Sequence, residues 1–286
     1  MASLKEIKGR IASVKSTLKI TSAMKMVASS KLRKAQNAVA GMLPYSTALG
    51  GILEDLMTPA NVDEAYFRPL PTEEPAKVAL VCLSSNSSLC GAFNSNVLKK
   101  ALAAAGEYKA LRYGVTIVPI GKKISDSAAK AGYGPFRDYS ALCARPNYEE
   151  AASLADRLVA GFLAGGIDKI EFIYNHYKSA SSQETVREVF LPMTSVEESG
   201  RQERDLIVEP SSREQVALLL PKVLRLRLFT VLLDSAASEH AARTLAMQIA
   251  TDNANELLQE LNLEYNKGRQ QKITSEILDL EGGAAQ

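Results

Sequence analysis

Tryptophan is absent from this 286-residue chain, and aromatic residues of all kinds make up only 6% of it. That scarcity argues against an aromatic platform on which nucleic-acid bases or sugars could stack. The two histidines, His176 and His240, are far apart in the sequence and have no metal-ligand spacing around them, so we expect no metal site. Three cysteines without C-x-x-C spacing are expected to be reduced thiols in a cytosolic compartment: Cys82, Cys90 and Cys143.

No apolar run approaches the roughly 18 residues that a membrane-spanning helix needs, so we expect no direct membrane span. The N-terminus also lacks the apolar core of a secretory signal.

Nucleotide-binding loops are missing too. Neither G-x-G-x-x-G nor G-x-x-x-x-G-K-[ST] occurs, and the half-similar PIGKKIS (119–125) has no upstream glycine at the needed spacing. We therefore expect no cofactor and no intrinsic active site.

Helix-breaking residues are scarce in the first part of the chain. The first proline is Pro44, and no glycine lies between Gly9 and Gly41. Apolar residues recur there at alternating steps of three and four, which predicts one long helix with the narrow seam of a coiled coil. The seam is expected to contain Leu4, Ile7, Ile11, Val14, Leu18, Met24, either Val27 or Ala28, Leu32 and Ala35.

The last seventy or so residues have the same helical spacing of apolar residues. SSRE (211–214) fits a capping box with Ser211 or Ser212 as the cap, and no glycine follows until Gly268. At about 1.5 Å per residue such a helix would extend on the order of 100 Å. That length exceeds the diameter of a compact domain. The stripe of apolar residues along the helix therefore needs a partner helix to cover it. The stripe contains Leu219, Val223, Leu226, Ala237, Leu245, Ile249, Leu257, Leu261, Ile273, Ile277 and Leu280.

The distribution of charge indicates which helix is the partner. Residues 1–40 contain nine basic residues and one acidic residue, whereas residues 250–286 contain seven acidic and three basic residues. Two helices at opposite ends of a chain, joined through a globular insert, are expected to run antiparallel. The acidic end of the second then lies beside the basic start of the first. Two unrelated solvated helix faces are the alternative.

Between these helices the pattern changes. Residues 59–76 hold four prolines and are predicted to be a linker. Beyond them, apolar runs alternate with helical periodicity, which is typical of an α/β domain with a largely parallel, Rossmann-like sheet. Strands are predicted at 77–83, 115–120, 169–177 and 184–192, and helices at about 95–111, 122–131 and 148–165.

The predicted fold is therefore an α/β protein with long helices, in which an antiparallel coiled coil of the N- and C-terminal helices carries a central α/β domain. We expect four segments along the chain. They are the N-terminal coiled-coil helix (1–58), the linker (59–76), the central α/β domain (77–209) and the C-terminal coiled-coil helix (210–286).

Three stretches resemble the gamma subunit of the F-type ATP synthase, of the bacterial type. They are ITSAMKMVASSKLRKAQ (20–36), SSLCGAFNSN (87–96) and EHAARTLAMQIATDNANELLQELNLEYNKGRQQKIT (239–274). The two terminal motifs are highly specific, and the resemblance covers the terminal helices, the insert and the GGAAQ tail. The chain departs from the family pattern at NSS (86–88), where an Asp-Arg-Gly triplet is common, and at Gly268, where alanine is common.

The resemblance implies a rotor in the central stalk. In this family the coiled coil stands inside the hexameric head of alternating alpha and beta subunits. The insert and lower coil sit on the membrane ring of c subunits, beside the epsilon subunit. Proton flow, or sodium flow in some species, turns the shaft and drives each beta subunit through binding, making and releasing ATP. The implied subunit is non-catalytic, has no nucleic-acid partner and is peripheral on the cytoplasmic face of the bacterial inner membrane.

The resemblance also implies residues that contact partners. Arg269 and Gln270 match a polar pair that binds an acidic loop of a beta subunit, and a guanidinium suits an exchangeable grip on carboxylates. Met24 and Lys25 are implied on the opposite face at the same level of the coil. Thr274 and Glu276 are assigned to the zone of Arg269, Arg243 to support of the coil, and Pro44, Tyr45, Glu209 and Pro210 to the foot that faces the ring.

Two other functions stay open from the residues alone. A nucleic-acid binder could use residues 5–34 as a basic arm, but the regular apolar stripe beneath those charges favours a partner helix. A non-rotary coiled-coil adaptor with an α/β domain would have the same composition as a rotor. Only the specific motifs separate these two.

Overall fold

The computed structural model describes residues 3–58, 61–71, 75–134, 136–193 and 208–284, and at 279–284 it describes the backbone alone. The chain divides into two compact units. The first combines the residues up to Ser29 with those from Arg243 onward, and the second is Ser30–Ala242. The four-segment division expected from the sequence stays a prediction.

Two long helices were predicted and are observed, and each contributes residues to both units. Helix α1 spans Leu4–Leu56 (53 residues) and helix α6 spans Ser212–Ala284 (73 residues). The Ser211 hydroxyl accepts a hydrogen bond from the Glu214 N–H at 3.3 Å, so Ser211 is the cap of α6. Pro44 and Pro221 lie inside the helices without ending them.

In the first unit, α1 and α6 run antiparallel. The Leu4 side chain lies against Gly268, the hydroxyl of Thr21 is 3.0 Å from that of Thr251, and Lys25 Nζ is 2.7 Å from Gln248 Oε1. The partner's number on α6 falls as the residue number on α1 rises. The predicted pairing of the chain's two ends is therefore confirmed.

The seam of this coil differs in part from the prediction. Ala28 is buried while Val27 is 57% exposed, so Ala28 holds the seam position. Ile249 and Leu257, which were predicted in the seam, are 51% and 45% exposed. Beyond Gly268, α6 passes the start of α1 and has no described α1 residue opposite it. The predicted seam residues Ile273 and Ile277 are accordingly exposed as well.

The second unit contains a four-stranded sheet with the order β2-β1-β3-β4. Strand β1 is parallel to β2 and β3, whereas β3 and β4 form an antiparallel pair. The sheet confirms the mostly parallel α/β fold, and the ends of the predicted elements lie within two residues of those observed. The strands are β1 (Lys77–Leu83), β2 (Gly114–Ile120), β3 (Lys169–Tyr177) and β4 (Gln183–Leu191), and the helices are α2 (Phe93–Ala110), α3 (Lys122–Lys130), α4 (Ser140–Ala144) and α5 (Tyr148–Leu163).

Strand β1 is buried on both faces, which explains its continuous apolar sequence. Alternate side chains point into two cores. One core packs the sheet against α2 and α3, and the other against α5 and the parts of α1 and α6 in this unit. The first receives Val78, Leu80 and Cys82 from β1, and the second receives Ala79, Val81 and Leu83.

A buried carboxylate joins the sheet to α2. Glu171 on β3 is 2% exposed and accepts hydrogen bonds from Tyr108 Oη and Arg187 Nε, each at 2.7 Å. Lys169 Nζ lies 2.9 Å from the same carboxylate, and Arg187 also reaches Glu107 at 2.5 Å. Burial by itself would raise the pKa of Glu171, but the hydrogen bonds from Arg187, Lys169 and Tyr108 outweigh it and hold that pKa below its usual value.

Candidate partner-binding surfaces

Lys25 is held across the coil of the first unit. Its ammonium group donates to Gln248 Oε1, and Gln248 Nε2 donates to both carboxylate oxygens of Asp252 at 2.8 Å. These contacts orient the Gln248 amide so that its oxygen faces Lys25. Met24, the residue before Lys25, is half-buried. A partner that binds at Lys25 would therefore share its ammonium group with Gln248.

Arg243 lies on α6 five residues before Gln248 and is only 9% exposed. Such burial fits the predicted supporting role inside the coil better than direct contact with another subunit, because a buried guanidinium is held by groups of its own chain. The assignment of Arg243 to coil support stays a prediction.

Arg269 and Gln270 lie on the exposed surface of α6. Within the part of the chain that the structure describes, no hydrogen bond or ion pair engages either side chain. Thr274 Oγ1 donates to the Gln270 carbonyl oxygen at 3.0 Å, and Glu276 lies 3.6 Å from Lys272. The guanidinium and amide are thus available to a partner, while the neighbouring polar groups interact within α6.

The two predicted groups of contact residues do not lie at one level of the coil, and this part of the expectation is wrong. Leu4 contacts Gly268, so Arg269 and Gln270 lie beside the first turn of α1. Lys25 contacts Gln248, which precedes Gly268 on α6 by about 30 Å at 1.5 Å per residue. The first unit therefore presents two separate zones: Met24, Lys25 and Arg243 in one, and Arg269, Gln270, Thr274 and Glu276 in the other.

The predicted foot residues belong to the second unit. Pro44 and Tyr45 are exposed on α1, and Tyr45 is 57% exposed. Glu209 and Pro210 are exposed just before α6, where the Glu209 carbonyl oxygen accepts from Gln215 Nε2 at 2.7 Å. All four side chains are accessible, and their role as a foot stays a prediction.

The segment that half resembles a phosphate loop is capped by the chain itself. At the start of α3, the N–H of Lys122 donates to Asn86 Oδ1 at 2.9 Å, and the N–H of Ile124 donates to Ser84 Oγ at 2.9 Å. The N–H between them, on Lys123, donates to the Ser85 carbonyl oxygen at 3.1 Å. These backbone donors, which bind phosphate in nucleotide-binding folds, are already occupied.

The described ranges hold no group of three or more His, Cys, Asp or Glu side chains arranged to bind a metal ion. Among the helices of those ranges, none combines the length and apolar character that crossing a bilayer requires.

Comparison with known proteins identifies the family. The family described as ATP synthase matches residues 3–286. The ATP synthase gamma chain of Bacteroides fragilis is 53% identical over 291 residues, which cover 99% of each chain. The chain belongs to the ATP synthase gamma chain family. Membership of this family makes it a central-stalk rotor subunit, the role that the terminal motifs predicted.

Two solved structures have a similar fold. A chain of the Euglena gracilis mitochondrial ATP synthase, in the OSCP/F1/c-ring structure, gives a TM-score of 0.65 at 18% identity and covers 99% of this chain and 93% of its own. A chain of the rotor of the same organism's enzyme gives 0.62 at 18% identity, with coverage of 94% and 98%. The combination of paired terminal helices and a central α/β sheet is therefore shared at low sequence identity.

Sequence reasoning missed the polar residues between the two helices of the coil. Thr21, Gln248 and Thr251 were not singled out, although they make hydrogen bonds between α1 and α6, and Asp252, which orients Gln248 from within α6, was not singled out either. One signal was available: Gln248 and Asp252 are four residues apart on a helix, the spacing at which an amide and a carboxylate hydrogen-bond.

Proposed function

We propose that this chain transmits torque between a membrane ring of c subunits and a catalytic head of alpha and beta subunits, and so couples ion translocation to ATP synthesis or hydrolysis. The observation that carries the proposal is the antiparallel pairing of α1 and α6 in the first unit. A shaft under torque must be stiff, and two paired helices resist bending better than one. A single asymmetric coil also presents a different face to each of three identical beta subunits.

Exchangeable polar contacts suit such a shaft, because it must release each beta subunit in turn. Arg269 and Gln270 are assigned to an acidic loop of a beta subunit, with Thr274 and Glu276 beside them. The exposed guanidinium of Arg269 supports this role, since it can donate hydrogen bonds to a carboxylate without first breaking a described contact of its own. Met24 and Lys25 form a second contact zone, supported by Arg243.

The exposed residues of the second unit are assigned to the foot of the shaft. Pro44, Tyr45, Glu209 and Pro210 are proposed to face the ring of c subunits and the epsilon subunit. A chain that turns with such a ring is peripheral to the membrane. In a bacterium, this places it on the cytoplasmic face of the inner membrane.

Reconstitution tests the proposal. The chain is mixed with separately purified alpha and beta subunits, and the product is weighed by native mass spectrometry. We expect one copy per hexamer and a large gain in cooperative ATP hydrolysis over the hexamer alone. A product of one copy per hexamer without that gain would favour the non-rotary adaptor. A chain that stays monomeric would contradict both.

Alanine at both Arg269 and Gln270 is expected to leave assembly intact and to lower coupling. Both side chains are exposed, and within the described residues neither takes part in a hydrogen bond or ion pair, so removing them should affect only the exchange with the beta subunit. The measurement is ATP-driven proton pumping per ATP hydrolysed in reconstituted vesicles. Thr251→Ser, which keeps its hydroxyl inside the coil, is the control. Equal pumping ratios in the double variant and the parent would remove both residues from the contact zone.

A further inference from the structure

The β2 edge of the four-stranded sheet carries a proline that limits pairing with another strand. The Gly114 N–H donates to the Ala76 carbonyl oxygen at 2.8 Å. The Ile120 carbonyl oxygen accepts from the Ser84 N–H at the same distance. Even-numbered residues of β2 therefore face β1, and odd-numbered residues direct their backbone groups away from the sheet. One of these is Pro119, which has no N–H to offer to another strand.

Strand β4 forms the opposite edge and contains no proline. Within the part of the chain that the structure describes, no further strand pairs with it. At the hairpin between β3 and β4, the Lys178 N–H donates to the Ser182 carbonyl oxygen, and the register is regular from there to Val189. Because hydrogen-bonded and non-hydrogen-bonded pairs alternate along an antiparallel ladder, the backbone groups of Thr185, Arg187 and Val189 point away from β3.

Two of these three outward carbonyl oxygens are bound by side chains from the flanking helices. Lys100 on α2 donates to the Thr185 carbonyl oxygen at 2.5 Å. Arg227 on α6 donates through Nη2 to the Val189 carbonyl oxygen at 2.8 Å. Helices α2 and α6 pack on opposite faces of the sheet, so the two cations reach the edge from both sides.

A row of outward backbone groups is a template on which another chain can add a strand. A second copy of this chain offers the same strand. In an antiparallel pair of two β4 strands centred on Arg187, Thr185 of one copy would face Val189 of the other and exchange two backbone hydrogen bonds with it. Each exchange needs the carbonyl oxygens that Lys100 and Arg227 occupy, and a two-fold contact repeats this obstacle in both copies.

We propose that Lys100 and Arg227 guard the β4 edge against pairing with a second copy of this chain. Arg227 is held at the edge by Glu188 of the same strand, whose carboxylate accepts from Nε at 3.0 Å. The two side chains thus have the role at β4 that Pro119 has at β2. The guard concerns self-association of the chain and does not depend on rotation, so its test can fail independently of the proposed function.

Self-association of the full chain tests the guard. A variant with Lys100→Met, Arg227→Met and Glu188→Gln leaves the Thr185 and Val189 carbonyl oxygens without these side-chain donors, and the glutamine avoids an unpaired carboxylate at the edge. Sedimentation velocity over a series of concentrations gives the dissociation constant of the self-associated species. We expect that constant to be at least about tenfold lower in the variant than in the unchanged chain, because backbone hydrogen bonds become available to the second copy.

A matched control separates the guard from a general effect of charge. The control carries Lys99→Met, Arg225→Met and Asp156→Asn. It changes the same two helices, removes an ion pair of similar exposure and has the same net charge as the variant. Neither Lys99 nor Arg225 binds an outward carbonyl oxygen of β4 within the described residues, so the control should associate no more strongly than the unchanged chain. A variant that associates no more strongly than this control would overturn the proposal.

Hydrogen exchange locates the contact. As the variant is concentrated, we expect the amides of β4 to exchange more slowly, while those of β2 and β3 keep their rates. Adding Val189→Pro should restore the dissociation constant of the control, because it removes an outward N–H and leaves the ladder with β3 intact. Val189→Ala keeps that N–H and should not restore it. Association without slower exchange in β4, or with faster exchange in β3, would show that the copies meet elsewhere or through unfolded chains, and would contradict the guard.

Discussion

Alanine at position 121 is expected to lower the free energy of unfolding of the second unit by about 4 kcal/mol, which corresponds to a fall in its midpoint of roughly 8–16 °C. Gly121 has a φ of +106°, a conformation that alanine rarely adopts. A Cβ at this position would also lie 2.2 Å from the Ser84 carbonyl oxygen. The substitution therefore combines backbone strain with a main-chain clash.

Ser84 has little freedom to relieve that clash. Its N–H donates to the Ile120 carbonyl oxygen at 2.8 Å, and its hydroxyl accepts from the Ile124 N–H at 2.9 Å. Moving Ser84 would break the contacts that hold the end of β1 against the turn between β2 and α3. The effect should accordingly be strongest in the protection of the α3 amides from hydrogen exchange.

Thermal denaturation of the full chain measures the change, and Gly132→Ala is its matched control. Gly132 also has a positive φ, +85°, but a Cβ there would meet nothing within 4 Å. The control keeps the backbone strain without the clash and should cost only about 1 kcal/mol. Equal losses in the two variants would contradict the close approach at Gly121.

The sequence predicted no role for Gly121, because the phosphate loop that its segment half resembles was rejected. Within PIGKKIS the glycine resembled half of a phosphate loop, because glycine and lysine at a strand-to-helix turn are typical of such loops. In the structure the glycine admits the main chain of Ser84, and the donors of α3 are bound by Ser84, Ser85 and Asn86. A glycine can indicate that another main-chain segment lies close to it, but only the fold shows which segment that is.

The elements of the α/β domain were predictable because burial on both faces leaves a strong signal. Strand β1 is a continuous apolar run, and its predicted and observed limits agree at residues 77 and 83. The five-residue helix α4 was not predicted, because so short a helix carries no periodic pattern to distinguish it from a loop.

The register of the coil could not be predicted in the same way. Periodicity left Val27 and Ala28 as equal candidates for the seam and placed Ile249 there although it is exposed. The family resemblance, and not periodicity, implied that Met24 lies at the level of Arg269, whereas about 30 Å of helix lies between Arg269 and the residue that contacts Lys25. Apolar spacing identifies the face of a helix that packs, but the alignment along the axis depends on a few specific pairs.

Glutamine at position 171 is expected to lower the free energy of unfolding of the second unit by about 2–4 kcal/mol at neutral pH. The Glu171 carboxylate is 2% exposed and binds Tyr108, Lys169 and Arg187. Glutamine has nearly the same shape, but it removes the charge that compensates two cations. The side chains of Lys169 and Arg187 are 20% and 25% exposed, so water partly screens the loss and keeps it below that of a fully buried pair.

The size of this loss should depend on pH in a defined direction. The pKa of Glu171 is lower in the folded chain than its ordinary value near 4.5. The ionised carboxylate therefore stabilises the fold at every pH above that ordinary pKa, and this contribution is lost as the pH falls through the lower pKa of the folded chain. Denaturant unfolding should therefore separate Glu171→Gln from the parent widely at pH 7 and progressively less below pH 4.5. The control Glu184→Gln, at an ion pair with Lys178 in which both side chains are more than half exposed, should differ little from the parent at either pH. A difference for Glu171→Gln that grows on acidification would show that the buried network does not favour the ionised carboxylate.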